Sequence, residues 1–184
     1  NLAFSDIWLN NYKNKHSRVV LSYIWKYRSF PDYVQQLEME SLGKIPLKDS
    51  EFKKTGQIIF GGYGPTGQHS YFQLLHQGTQ DICADIIVCC DDKNSLNYAQ
   101  ALTQSKLLSK GADKLLREEE MINGNVPVNL FLLNNSDGYS LGYLIASWEH
   151  RTYLTASLLG INPFDQFGVN AGKIYTYKYL TGKD

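Results

Sequence analysis

Four short runs of apolar residues recur along the chain, and each ends at a polar residue or a glycine. They lie at 18–24, 57–62, 85–90 and 128–134, in the segments RVVLSYI, QIIFGG, DIIVCC and VNLFLLN. Within each run the apolar positions are nearly continuous rather than alternating, which is typical of strands buried on both faces. The pattern therefore predicts four buried strands.

Longer segments with the apolar spacing of helices surround these runs. The predicted helices span 3–13, 30–42, 66–77, 95–110, 112–121, 138–159 and 163–181. Strands that alternate with helices indicate a mainly parallel sheet with helices on both of its faces. We therefore predict an α/β fold, a three-layer αβα sandwich. A chain of 184 residues without repeats or a linker-like stretch is expected to form one domain, 1–184.

Charge and composition narrow the range of partners. Eighteen basic and eighteen acidic residues give a formal net charge of zero, so no general affinity for nucleic acid or an anionic membrane is expected. No apolar run reaches the roughly 18 residues of a membrane-spanning helix. The three cysteines, Cys83, Cys89 and Cys90, have no zinc-site spacing, and their odd number favours reduced thiols in a cytoplasmic protein.

In α/β sheets, ligands usually bind where the loops after the strands gather, so we expect the site in the segments that follow the strands. The first such segment, 29–44, predicts a helix in which Gln36 and Glu40 share one face. A carboxylate beside an amide is suited to general-base catalysis if burial raises its pKa towards neutrality. In the alternative interpretation, Glu38 and Glu40 merely solvate the end of a helix.

The second segment begins with a glycine-rich turn at 61–67 and continues as a predicted helix. His69, Gln73 and His76 fall at i, i+4 and i+7 and would form one polar stripe. The helix dipole disfavours the cationic form of an imidazole in the first turn, which suits His69 to proton transfer. The stripe is equally well explained as the solvated face of an amphipathic helix, and both interpretations stay open at this point.

The third segment is 160–180. Asn162 and Pro163 are suited to begin a helix, and Gln166, Asn170 and Lys173 then recur at i, i+4 and i+7. The alternative is that Lys173 is an ordinary solvated lysine. Taken together, the three segments supply a carboxylate, an imidazole, an ammonium group and amides without a metal site. That set is suited to proton transfer on a polar, anionic small molecule.

Three long motifs carry a family resemblance, and they cover nearly the whole chain in the family's order. The segments QQLEMESLGK, GPTGQHSYFQLLHQG and SWEHRTYLTASLLGINPFDQFGVNAGK closely resemble motifs of the phosphoglucose isomerases. The resemblance implies the sugar-isomerase (SIS) fold, which is flavodoxin-like. It also implies an aldose–ketose isomerase of glycolysis and gluconeogenesis that interconverts glucose 6-phosphate and fructose 6-phosphate without a cofactor.

The resemblance also implies roles for individual residues. Glu40 matches the base that moves a proton between C1 and C2 through a cis-enediol, and Gln36 matches a glutamine that contacts the substrate. His69 matches the ring-opening histidine, which this family offers to the site of the dimer partner. Lys173 matches a lysine that assists ring opening, and Gln166 a glutamine near the sugar phosphate. His76 matches no residue with a clear chemical role.

The chain also departs from the family pattern. Leu42 stands where the family usually has asparagine, and 170–171 and 65–66 differ from the usual motifs without removing a group that has an assigned role. Members carry two SIS domains, and the first supplies a Ser/Thr-rich phosphate loop and a GGR segment, neither of which occurs here. We therefore expect this chain to be the second SIS domain, with little or no turnover alone. The alternative is a non-catalytic, phosphosugar-binding module. A cytoplasmic homodimer is expected for the full-length protein.

Overall fold

A four-stranded parallel sheet forms the centre of the computed structural model, which describes residues 1–91 and 93–182. Its strands are β1 (Ser17–Ser22), β2 (Ile58–Tyr63), β3 (Ile82–Cys89) and β4 (Val128–Leu133). The spatial order is β2-β1-β3-β4, and each neighbouring pair is parallel. All four strands lie within two or three residues of the predicted runs, so the strand predictions are confirmed.

Helices cover both faces of this sheet. They are α1 (Leu2–Tyr12), α2 (Phe30–Leu42), α3 (Gly64–Gly67), α4 (Phe72–Gln77), α5 (Leu96–Lys110), α6 (Gly138–Leu159) and α7 (Phe167–Thr181), with 3-10 turns at Trp25–Tyr27 and Glu118–Glu120. Within the described part of the chain, no helix combines the length and the apolar character that crossing a bilayer requires.

Successive side chains of a strand point to opposite faces, so the sheet separates two apolar cores. On one face Val19 and Ile86 pack with Leu108 of α5 and with the α4 side chains. On the other face Val20 and the α2 and α6 side chains form a second core around Trp148. This arrangement confirms the predicted three-layer αβα sandwich with a parallel sheet.

The predicted helix at 112–121 is wrong. Ala112 and Ile122 form an isolated antiparallel bridge instead, and only Glu118–Glu120 adopts a 3-10 turn. Leu115 and Leu116 are 83% and 92% exposed, so the segment has no apolar face to bury, and a short helix without packing is marginal in water.

Two other helix boundaries also differ from the prediction. The predicted helix 66–77 is interrupted between α3 and α4, where His69 N donates to Thr66 O and Ser70 N to Gly67 O in a tighter turn. At the other boundary, α7 begins at Phe167 rather than at Pro163, because Asn162 Oδ1 accepts from Phe164 N and closes a separate turn. His69 therefore lies in a turn and does not share a continuous helix with His76.

Candidate functional site

Three of the residues that the sequence singles out line one open cavity of about 450 Å³. Glu40 comes from the last turn of α2, Gln166 from the residue before α7, and Lys173 from the second turn of α7. Asp165 and Asn170 also line this cavity, so Gln166, Asn170 and Lys173 do share one face. Gln166 lies against two neighbouring clefts of about 550 and 860 Å³ as well. The cavity thus combines a carboxylate, amides and an ammonium group.

The local sequence explains why α2 ends just beyond Glu40. Pro31 lies in the first turn, and Gly43 ends the helix with its N–H donating to Met39 O at 3.1 Å. A Cβ at Gly43 would lie 2.3 Å from Met39 O, so glycine permits this close approach. Lys44 then folds back, and its Nζ donates to the backbone oxygen of Glu40. Glu40 itself remains exposed to solvent.

The cavity lies at the amino edge of the sheet, whereas the sequence analysis expected a site at the carboxyl edge. Leu42 is adjacent to Gly56, which lies two residues before β2 begins. The 13 residues of α2 extend roughly 20 Å, which is enough to run back along the full length of β1. Because α2 returns antiparallel to the strands, its last turn reaches the edge where the strands begin.

His69 lies at the opposite edge of the sheet. It is exposed, and it follows β2 by six residues in the turn between α3 and α4. Six strand residues span roughly 20 Å, so the sheet separates His69 from the cavity that Glu40 lines. The structure therefore brings Glu40, Gln166 and Lys173 together and does not bring His69 to them within one chain.

Gln36 lies one turn before Glu40 on α2 and is exposed. It is not part of the lining of the 450 Å³ cavity. Its neighbour Gln35 points the other way, and Gln35 Nε2 donates to Ile59 O of β2 at 2.7 Å. The two adjacent glutamines therefore differ in role, since Gln35 holds α2 against the sheet and Gln36 faces solvent beside Glu40.

The other polar residues of the second predicted stripe make local contacts. His76 Nε2 lies 2.8 Å from Gln104 Oε1 of α5, and its ring packs edge-on against Phe72. Gln73 Nε2 donates to Gln77 Oε1 at 2.7 Å. The His76 contact links α4 to α5, the Gln73 contact stays within α4, and together they account for both side chains without a chemical role.

The sequence analysis missed a buried cluster of five charged side chains. They come from α1, β1, α2, β3 and α6, and we call them the ion network: Asp6, Arg18, Glu38, Asp85 and Arg151. Glu38 is only 4% exposed, so the interpretation that it solvates a helix end is wrong. The available signal was a charge inside a continuous apolar run, at Arg18 in RVVLS and at Asp85 in ADIIV.

The contacts of the ion network are close and directional. Arg151 binds both oxygens of Asp6 at 2.6 Å and donates to Asp85 Oδ2 at 2.7 Å. Arg18 donates to Asp6 Oδ1 at 2.6 Å and to Glu38 Oε2. Two neutral donors complete the set, because Trp148 Nε1 binds Glu38 Oε1 at 3.0 Å and Asn129 Nδ2 binds Asp85 Oδ1 at 2.7 Å.

Electrostatics differ between the acids of the ion network. Burial raises the pKa of Glu38, and the nearby Arg18 and Arg151 offset this only in part. Burial acts in the same direction on Asp85, but the same two guanidinium groups outweigh it and lower the pKa of Asp85. The network contains three acids and two arginines, so its full ionisation would leave one excess negative charge. The excess negative charge is therefore less favoured on Glu38, whose pKa is raised, than on Asp85, whose pKa is lowered.

Comparison with known sequences gives the family. A family model described as phosphoglucose isomerase matches residues 1–181. The "Glucose-6-phosphate isomerase" of Legionella pneumophila strain Paris is 39% identical over 94% of this chain and 35% of its own length. The "Glucose-6-phosphate isomerase 2" of Neisseria meningitidis serogroup B is 37% identical over 94% of this chain and 36% of its own length.

Solved structures agree with the sequence comparison. A glucose-6-phosphate isomerase from Chlamydia trachomatis superposes with a TM-score of 0.84 and 29% identity, over 98% of this chain and 37% of that one. A hypothetical protein from Thermus thermophilus shares the fold, with a TM-score of 0.75 and 22% identity over 96% of this chain and 44% of that one. The chain spans little more than a third of the length of the curated relatives described above. By sequence and by fold, this chain belongs to the phosphoglucose isomerase family.

Proposed function

We propose that this chain carries part of the active site of a glucose-6-phosphate isomerase. The observation that carries the proposal is the cavity in which Glu40, Gln166 and Lys173 meet. Isomerisation of an aldose phosphate to a ketose phosphate requires a base near two adjacent carbons and groups that attract an anionic sugar. A carboxylate and an ammonium group that line one cavity are suited to that task.

In this proposal Glu40 removes the proton from C2 of the open-chain aldose while O1 takes up a proton, which gives a cis-enediol. The Glu40 carboxyl then returns its proton to C1 while O2 loses a proton, which gives the ketose. No atom is gained or lost, so the step needs neither an oxidant nor a cofactor. Lys173 assists ring opening, Gln166 contacts the sugar phosphate, and Gln36 contacts the substrate one helical turn before Glu40. The net charge of zero makes these local groups, rather than a general field, the source of attraction for the anion.

His69 is proposed to act in the site of a second subunit. Its exposed turn lies at the carboxyl edge of the sheet, whereas Glu40 and Lys173 face the cavity at the amino edge. A histidine that opens the sugar ring must come within hydrogen-bonding reach of the ring oxygen. The proposal therefore requires a homodimer in which one subunit supplies the imidazole to the cavity of its partner.

We propose further that the chain is the second SIS domain of the enzyme and that it works in the cytoplasm. Cys83, Cys89 and Cys90 are all free, which suits a reducing compartment. The grip on the sugar phosphate would come from the first domain, so the 184-residue chain alone is expected to turn over little or no substrate. A non-catalytic phosphosugar-binding module is the second candidate, because the described cavity would suit an anionic sugar even without turnover.

The test is Glu40→Gln in the complete gene product that contains this chain. The change should lower kcat by about 10²–10⁴-fold and leave binding of fructose 6-phosphate nearly unchanged, because it removes the base and keeps the shape. Activity is followed by oxidation of the glucose 6-phosphate formed, and binding by calorimetry. Glu118→Gln, an exposed change on a distant 3-10 turn, is the matched control. Retained kcat in Glu40→Gln would refute the base assignment, and a wild type that binds the sugar without turnover would favour the binding module.

A further inference from the structure

The ion network joins α2 and α6, the two helices that lead to the cavity. Its members are at most 6% exposed, and each comes from a different helix or strand. Arg18 and Asp85 belong to adjacent strands of the sheet, Glu38 belongs to α2, and Arg151 belongs to α6. Helix α2 carries Glu40, and the chain that leaves α6 at Gly160 reaches Gln166 six residues later.

Helical geometry couples Glu38 to Glu40. Two positions along an α-helix correspond to a rotation of roughly 200°, so these side chains point to nearly opposite sides of α2. The structure shows this directly, because Glu38 is buried under the helix and Glu40 is exposed at the cavity. Any rotation of α2 about its axis that moved the Glu38 carboxylate would therefore turn Glu40 away from the cavity.

The Glu38 carboxylate is held from two directions. Its Oε2 accepts from Arg18 of the sheet, and its Oε1 accepts from Trp148 Nε1 of α6 at 3.0 Å. Arg151, one turn after Trp148 on α6, is bound to Asp85 of β3 and to Asp6 of α1. Helix α2 is thus bound to β1 and helix α6 to β3, and these two strands are neighbours in the sheet.

A merely stabilising core would not require these charges. Replacing a buried ion pair by well-packed apolar residues is often neutral or favourable for stability. Directional hydrogen bonds differ from apolar contacts in fixing the rotation and the axial position of a helix, since a guanidinium group accepts few orientations of a carboxylate. The geometry of the ion network is therefore better suited to orienting α2 than to stabilising it.

We infer that Glu38 is a positioning residue that, through Arg18 and Trp148, sets the rotation of α2 and so directs Glu40 into the cavity. The inference rests on the proposed function for its catalytic consequence. A displacement of the base by about 1 Å can reduce turnover by roughly 10²-fold, so a small error in helix rotation is sufficient to matter.

The first experiment compares Glu38→Gln with Leu108→Ala in the complete gene product. The glutamine keeps the shape but places an amide N–H₂ against the Arg18 guanidinium or the Trp148 N–H, so kcat should fall by about 10–100-fold while KM changes less than about twofold. Leu108 is buried in the core on the other face of the sheet, so its truncation lowers stability and should leave kcat within about twofold. Unchanged kcat in Glu38→Gln, or an equal loss in Leu108→Ala, would overturn the inference.

If Glu38→Gln does not fold, a second variant tests the same inference. Trp148→Phe removes the N–H that binds Glu38 Oε1 together with part of the buried ring, and it keeps every charge of the ion network. Leu108→Ala is again the control for the loss of core packing. It should lower kcat in the same direction, by several-fold, with KM nearly unchanged. A folded Trp148→Phe enzyme with the kcat of the wild type would count against the inference.

A distance measurement tests the orientation of α2 without any isomerase activity. Spin labels are placed on the 184-residue chain at exposed positions of α2 and α6, by Gln36→Cys and Ser157→Cys in a Cys90→Ser background. Glu38→Gln should shift or broaden the distance distribution, whereas Leu108→Ala should not. An unchanged distribution overturns the inference. A shifted distribution together with an inactive wild-type complete gene product supports the orientation of α2 by Glu38 and refutes only the proposed isomerase.

Discussion

Replacing Arg151 by methionine should strongly destabilise the fold. The Arg151 side chain is 2% exposed and makes three hydrogen-bonded contacts to Asp6 and Asp85 at 2.6 to 2.7 Å. Methionine fills similar space but leaves three buried acids facing Arg18 alone. The perturbation therefore removes a buried positive charge without opening a large cavity.

The expected loss follows from the cost of an unpaired buried charge. Removing one partner of a buried ion pair lowers the free energy of unfolding by about 3–5 kcal/mol. Domains of ordinary stability unfold at a cost of about 5–15 kcal/mol, so the loss is a large share of the total. For a chain of this size each 1 kcal/mol lowers Tm by roughly 2–4 °C, which predicts a drop of about 6–20 °C.

The sign of the pH dependence gives a second, independent readout. Without Arg151 the folded-state pKa of Asp85 should rise above its unfolded value near about 3.9, because its burial is no longer compensated. Between those two values the folded chain binds more protons than the unfolded chain, so the stability of the variant rises as the pH falls. In the wild type the pKa of Asp85 is lowered, so its contribution is present above the unfolded pKa and is lost only as the pH falls through the folded one.

Urea denaturation followed by circular dichroism, at about pH 7.5 and about pH 5, measures both effects, since acidification between these values moves towards the unfolded pKa near about 3.9, where Asp85 of the folded variant has taken up its proton. The gap between wild type and Arg151→Met should be large at the higher pH and smaller at the lower. Lys114→Met is the matched control, because it breaks an exposed pair with Glu118, and it should leave stability unchanged within error. A stable Arg151→Met chain, or a gap that widens on acidification, would refute the reasoning.

The structure also predicts the effect of two glycine substitutions and the order in which two cysteines react. Gly61 has φ +150°, and a Cβ there would lie 1.9 Å from Val20 O, so Gly61→Ala should lower the free energy of unfolding by about 2 kcal/mol or more in urea denaturation. Gly172→Ala, where a Cβ meets nothing within 4 Å in α7, should instead be neutral or stabilising by up to about 1 kcal/mol. Burial raises the pKa of Cys83 to about 11, so Ellman's reagent at about pH 8 should modify the partly exposed Cys90 first and Cys83 only on unfolding. Rapid modification of Cys83 in the folded chain would contradict this.

Local sequence signals were sufficient to predict the bounds of helices that begin and end at residues suited to helix ends. Helix α6 spans Gly138–Leu159, as predicted, because Asp137 accepts from Ser140 N at its start and Gly160 adopts φ +69° at its end. Helix α2 likewise begins beside Pro31 and ends at Gly43. The strands were predictable because both of their faces are buried, which leaves a continuous apolar run in the sequence.

Other boundaries depend on contacts between residues that are distant in the sequence. The region of α3 packs against the rest of the fold so closely that a Cβ at Gly64 would lie 2.4 Å from the Tyr23 ring. Tyr71, at the end of the turn that separates α3 from α4, packs edge-on against Phe60 of β2. Helical spacing alone cannot reveal such contacts, so the sequence predicted one continuous helix where the structure has two.

For the candidate site too, some features could be predicted from the sequence and others depend on the tertiary structure. Spacing was sufficient to predict that Gln166, Asn170 and Lys173 share a face and that Gln36 and Glu40 share another. The edge of the sheet at which these faces meet was not predictable, because it depends on the length of α2 and the direction in which it returns along the strands. The separation of His69 from Glu40 follows from the same geometry.

Glu38 and Glu40 show most clearly what the sequence alone cannot determine. The sequence places two glutamates two positions apart on one helix, which determines that they point to nearly opposite sides. It does not determine which of them is buried, because that depends on whether a buried cation faces one side of the helix. Only the tertiary structure brings Arg18 and Trp148 to that side, and their hydrogen bonds compensate the desolvation of Glu38 and leave Glu40 at the cavity.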